Sequence, residues 1–188
     1  MTILLVVIIA IVVILLIAFV AIYNGLVRLR NQVKNAWAQI DVQLKRRHDL
    51  IPNLIEMVKG YTKYERETLE AITKARTLAQ QATSAGPGER GKVEGELSSA
   101  LNRLMAVVER YPDLKASQNF ISLQEELAST ENKISFSRQF YNDSVMQYNN
   151  KIQMFPSNVI AGMTGFKQGE FFEVTVPEEK EVPKVSLT

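Results

Sequence analysis

The sequence of 188 residues contains no cysteine, one histidine and one tryptophan. Lack of cysteine excludes a disulfide framework, a thiolate metal cluster and a cysteine nucleophile. A single histidine excludes a multi-histidine metal site within one subunit. An excess of charge of one sign is also missing: 22 basic residues face 20 acidic ones, a formal +2. That balance gives no basic patch of the kind a nucleic-acid binder needs, so no nucleic-acid partner is expected. Acidic residues are absent before Asp41, and between Tyr23 and Gln81 the only glycines and prolines are Gly25, Pro52 and Gly60. Little there interrupts a helix.

Long apolar runs, by contrast, are present. "ILLVVIIAIVVILLIAFVAI", Ile3 to Ile22, is 20 apolar residues without a charge. A helix of that length crosses about 30 Å of hydrocarbon. No basic stretch precedes the run and it is longer than the apolar part of a secretory signal, so residues 1–22 read as a membrane anchor. Arg28, Arg30 and Lys34 follow it closely. Basic residues near a membrane end stay cytoplasmic, which places the N-terminus outside and the rest of the chain inside. Tyr23 falls where an aromatic ring sits at the headgroup level.

Beyond the anchor the pattern is helical. Trp37, Leu44, Ile51 and Val58 recur at seven-residue steps, and Leu26, Val33, Ile40, Leu54 and Tyr61 form a second stripe three residues along. Paired stripes of this kind describe a helix face packed in a bundle. One helix is predicted from Tyr23 to about Gln81, on the order of 85–90 Å if unbroken. Pro52 removes the amide that would serve the His48 carbonyl. A restart capped by Asp49 is the rival, but the stripe keeps its phase across the proline, which favours a continuous, kinked helix. "TSAGPGERG" (Thr83 to Gly91) reads as a loop. Leu97, Leu101, Leu104, Val108 and Tyr111 then mark a second helix, ended by Pro112. In a third helix, Phe120, Leu127, Ile134, Tyr141, Tyr148 and Phe155 make consecutive seven-residue steps, with Asn142 and Asn149 on a flanking stripe. The twice-repeated Tyr-Asn is therefore core rhythm rather than a ligand site. Ser157 caps a short helix. "EFFEVTV" is too short and isolated for a sheet, and the charged, proline-bearing end from residue 173 reads as a disordered tail. The fold class is all-α: a transmembrane helix continuing into an elongated bundle of three long helices plus one short, with the bundle domain spanning residues 23–172.

"KRRHD" (Lys45 to Asp49) crowds five ionisable residues. His48 and Asp49 are neighbours, and neighbours on a helix point about 100° apart, so they do not form a dyad. They read as part of a solvated charged face. Arg47 occupies the stripe of Ile40 and Leu54, and an inward arginine calls for a carboxylate from another helix: Glu125, Glu126 or Glu131. His48 has Lys45 three residues before it, so the Glu-x-x-His spacing of helical carboxylate metal sites is missing. "SAGPGERGK" lacks the P-loop spacing and a preceding strand. No catalytic, cofactor-binding or metal-ligating residue is assigned.

Three stretches, "YNGLVRLRNQVKNAWAQIDVQLKRRHDLIPNLIEMVKGY", "ERYPDLKASQNFISLQEELASTENKISFSRQFYNDSVMQYN" and "FPSNVIAG", resemble the LemA family of bacterial membrane proteins in content and order. The resemblance runs from the anchor to about Phe172. It implies a single-span protein of the bacterial inner membrane, with its N-terminus outside and an antiparallel cytoplasmic bundle of four helices, one short. It brings no active site. The function expected is a membrane-anchored scaffold or adaptor, not an enzyme, whose partners are the lipid bilayer and further copies of itself. The alternative is a regulatory partner of a membrane enzyme; the resemblance suggests a membrane-bound zinc metalloprotease of quality control.

Overall fold

Apolar side chains spaced by alternating threes and fours share one face only if the backbone coils at 3.6 residues per turn. That period governs the chain. The structure is a computed structural model that describes residues 1–61 and 65–173. Its α-helices are α1 (Thr2–Tyr61), α2 (Arg66–Gln81), α3 (Pro87–Val108), α4 (Pro112–Lys115), α5 (Gln118–Gln153) and α6 (Ser157–Thr164), with a 3₁₀ turn at Ala82–Ser84. No strand occurs among the described residues, and the fold is all-α. Two compact units are present: Met1–Gln39 with Gln139–Gly169, and Ile40–Arg138 with the chain from Glu170 onward.

In the first unit, Leu26 of α1 is buried with Ile160 and Ala161 of α6, flanked by Ile22, Ile152 and Phe166. Trp37 packs its ring 5.3 Å from that of Tyr141. Asn149 accepts a hydrogen bond from the Gly169 amide (2.8 Å) and donates one to the Gly169 carbonyl (2.9 Å), which ties the segment after α6 to α5. In the second unit, Ile51, Leu54 and Val58 of α1 share a core with Ile72 of α2, Leu97 and Leu104 of α3, Leu114 of α4, and Phe120 and Leu127 of α5.

Helix α1 passes Pro52 without a break. The Asp49-capped restart does not occur, and the His48 carbonyl deprived by the proline accepts instead from Arg76 Nε of α2 at 2.8 Å. A charged donor from a neighbouring helix thus replaces the missing amide.

Elsewhere the helices end differently from their sequence signals. The helix predicted to reach Gln81 stops at Tyr61, just after Gly60, and resumes as α2. Tyr61 is half-exposed, so the second stripe closes at Leu54. The predicted Thr83–Gly91 loop is shorter, because Pro87 starts α3 at a position where its missing amide costs nothing. Gly91 lies inside α3 because the chain returns there: a Cβ at this position would overlap the Glu173 carbonyl oxygen. Pro112 likewise opens α4 instead of ending α3, which stops at Val108. Phe120, Leu127, Ile134, Tyr141 and Tyr148 are all buried as the seven-residue stripe predicts, but Phe155 falls beyond α5 and is exposed. The disordered reading of the tail falls on residues 174–188, outside those described; Glu173, its first residue, lies against Gly91.

Two measurements check this packing, both by unfolding the full chain in detergent. Tyr148→Ala should cost about 3–5 kcal/mol, as for large aromatic truncations in a core. Tyr148→Phe should cost less than about 1.5 kcal/mol. Arg76→Met should cost about 1–3 kcal/mol by leaving the His48 carbonyl unpaired. Pro52→Ala in the same chain restores an amide to that carbonyl, so the double variant should regain most of the loss. Absence of that rescue would remove the assigned role of Arg76.

Candidate functional site

The stripe that carries Ile40 and Leu54 into the core carries Arg47 as well, and its side chain is 2% exposed. A guanidinium cannot shed water without acceptors. Arg47 Nη1 donates to Glu131 Oε2 at 2.7 Å and to Ser98 Oγ at 2.8 Å. Arg47 Nη2 donates to Glu94 Oε2, in the shortest contact of the cluster, and more weakly to the Glu94 carbonyl at 3.4 Å. Of the three carboxylates proposed from sequence, Glu131 meets Arg47. Glu126 pairs instead with Arg46 at 2.7 Å on the surface, and Glu125 is exposed.

His48 does not lie on a solvated face. It is 4% exposed, and its Nε2 sits 3.0 Å from Glu94 Oε1 and 3.3 Å from Oε2. Burial follows from its position one residue after Arg47, between the α3 carboxylate that receives its ring and the α2 guanidinium that holds its carbonyl. Asp49 is exposed, so the neighbours do diverge as helical geometry requires, and no His–Asp dyad forms. Lys45 is exposed too.

Glu94 is the member that sequence reasoning missed, along with Arg90 one turn before it. Arg90 is buried and donates from Nη2 to Asp41 Oδ1. The signal was available: stepping back from Leu97 by three and then four residues reaches Glu94 and Arg90. Arg90 falls in the Thr83–Gly91 stretch read as a loop, and Glu94 lies between Gly91 and Gly95 just beyond it. Burial by itself pushes the Glu94 carboxyl up. The His48 hydrogen bond, the Arg47 charge and the His48 charge outweigh burial and hold its pKa below the ordinary carboxylate value.

A cleft of about 330 Å³ adjoins this cluster, walled by Arg47, Glu94, Glu131 and Arg138 and bounded by Phe172. With Glu94 2% exposed and both its oxygens facing Arg47 or His48, the carboxylate is engaged in pairing and not turned toward the solvent side. Among the described residues no group of three His, Asp or Glu side chains is placed to hold a metal ion. Chemically the arrangement is a charge lock that joins α1, α3 and α5.

Removing one partner should expose its cost. Glu94→Ala leaves Arg47 short of charge and should destabilise by about 3–5 kcal/mol, whereas Arg47→Met with Glu94→Leu should recover most of that, as for other buried pairs replaced by apolar groups. Because the folded pKa of Glu94 is depressed, its stabilisation is fully present above the unfolded value of about 4.5 and is lost as pH falls through the lower folded value. Glu94→Gln should flatten that part of the acid limb in thermal unfolding measured across pH.

Residues 36–187 match the sequence profile of the LemA family. The chain is 28% identical over 185 residues to Magnetosome protein MamQ 2 of Paramagnetospirillum magneticum, covering 84% of this chain and 68% of that protein. It is 26% identical over 174 residues to Magnetosome protein MamQ of Magnetospirillum gryphiswaldense, covering 80% and 64%. Protein LemA of Metamycoplasma hominis is 27% identical over 166 residues, covering 87% and 72%. An all-α chain with a long apolar start to α1, matched to that profile over most of its length, belongs to the LemA family.

Proposed function

We propose that this protein is a membrane-tethered helical scaffold or adaptor. Ile3–Ile22 spans the bacterial inner membrane once, and the helical units stand on the cytoplasmic side as an assembly surface without catalysing a reaction. One observation carries the reading: the apolar side chains from Ile3 to Ala21 are exposed, yet belong to the same unbroken helix as the buried Leu26, Ile40 and Ile51. Apolar surface of that extent is unfavourable in water and is covered by lipid. Arg28, Arg30 and Lys34, all exposed just past the run, favour a cytoplasmic flank.

The non-catalytic part of the proposal rests on the Arg47–Glu94–His48 cluster, whose ionisable groups are engaged with each other. Self-association draws support from large apolar side chains left exposed on the helices of the second unit, Val42 at 63% and Phe136 at 73%. Exposed apolar side chains of this size are candidates for contact with another protein surface.

Topology and assembly are tested separately. A reporter fused after residue 188 should read as cytoplasmic, and neutral residues at Arg28, Arg30 and Lys34 should weaken that bias; an external signal refutes the orientation. Electron microscopy of the detergent-extracted full chain should resolve assemblies that Val42→Lys with Phe136→Lys disperses. Monomers from the parent chain refute self-assembly, and co-extraction with a membrane enzyme such as a metalloprotease would favour the regulatory-partner reading in its place.

A further inference from the structure

We propose that α6 and the turn before it lie in the interfacial layer of the bilayer, so that the chain holds the membrane by two elements. One is the span, and the other is a helix sunk to the boundary between headgroups and acyl chains. This inference rests on the reading of Ile3–Ile22 as a span.

The depth of α6 is set by its contacts within the first unit. Ile160 and Ala161 pack on Leu26, with Ile22 alongside. The Phe166 ring meets Tyr23 edge-on at 5.8 Å, and the Arg30 guanidinium lies over it at 5.0 Å. Leu26 follows Ile22 by four residues, about 6 Å of helix rise. Each interfacial layer, the difference between a core of about 30 Å and a whole bilayer of about 40–45 Å, is on the order of 5–8 Å deep. Contacts to Ile22, Tyr23 and Leu26 therefore hold α6 within that layer.

The outward side of this element is apolar as well. On α6, Val159 and Met163 stand four residues apart on one stripe, exposed by 52% and 74%, and in the turn before it Met154 and Phe155 are exposed by 61% and 82%. The opposite side, Ile160 and Ala161, is already covered by α1. Such a stripe is costly in water and favourable among lipid chains. Charge agrees with the placement. No acidic residue lies between Asp143 and Glu170, and the first unit carries Arg28, Arg30, Lys34, Lys151 and Lys167 against Asp143 alone. With +2 for the whole chain, the remainder is net acidic. Basic charge concentrated beside a span is attracted to anionic headgroups.

The lack of cysteine makes single-site labelling direct. Met163→Cys and Val159→Cys, each carrying an environment-sensitive fluorophore, are placed in the full chain reconstituted into phosphatidylethanolamine–phosphatidylglycerol vesicles. Leu15→Cys in the span and Glu96→Cys on the exposed side of α3 serve as references. Emission from positions 159 and 163 should be blue-shifted relative to position 96 and quenched by nitroxides attached to lipid near the headgroups. Water-like emission at 159 and 163, with position 15 in lipid, overturns the inference while the span stands. Water-like emission at position 15 as well overturns both. A blue shift that lipid nitroxides do not quench, or that disappears when protein is diluted in lipid, assigns the stripe to a second copy of the chain and overturns the inference.

Discussion

A guanidinium buried among helices obliges each of them to supply an acceptor, and Arg47 imposes that condition on the second unit. Glu94 and Ser98 of α3 and Glu131 of α5 converge on it, and each must stand at one rotation and one height to do so. Apolar packing tolerates small slides of one helix along another. A paired charge in low dielectric does not, because each displacement leaves a buried donor or acceptor unmet. His48 is drawn in by the same carboxylate, which is why a residue next to four other ionisable ones is nearly inaccessible.

Pro52 adds a second constraint four residues further along α1. The His48 carbonyl it deprives is directed at α2, where Arg76 supplies the replacement. His48 is thus held at its ring by α3 and at its backbone by α2, which joins three helices around one residue. A helix-breaking residue acts here as a source of tertiary specificity: the open acceptor selects which neighbour can dock. Close approach at Gly91 has a similar effect on the returning chain, since only a missing side chain admits the Glu173 backbone.

These features engage the buried ionisable groups of the second unit with one another. The titratable cluster is a lock between helices, while large apolar side chains are left exposed along the start of α1, on α6, and at Val42 and Phe136. Exposed apolar side chains of this extent are suited to binding lipid or other proteins. That distribution is consistent with a tethered scaffold.

Periodicity alone determined most of the architecture. A strict seven-residue recurrence from Phe120 to Tyr148 has one solution, a buried helix stripe, and the uncharged run from Ile3 to Ile22 declares its length and its aversion to water. Arg47 could be placed in the core because its stripe left no other face. Tertiary structure decided what local signals left ambiguous. Proline and glycine mark places where a helix is expensive, not places where it must stop, so Pro52 was passed, Pro87 and Pro112 became helix starts, and Gly91 entered α3. Partners across helices were legible only in part: Glu131 was one of three carboxylates expected for Arg47, but nothing in the spacing of one helix states the rotation of another, so the choice among them was not. Glu94 was therefore invisible as the partner of Arg47 and His48, and Phe155 could not be separated from the stripe it continues. The physical reason is the same in each case: a period reports which face a residue shares, and only packing reports what that face meets.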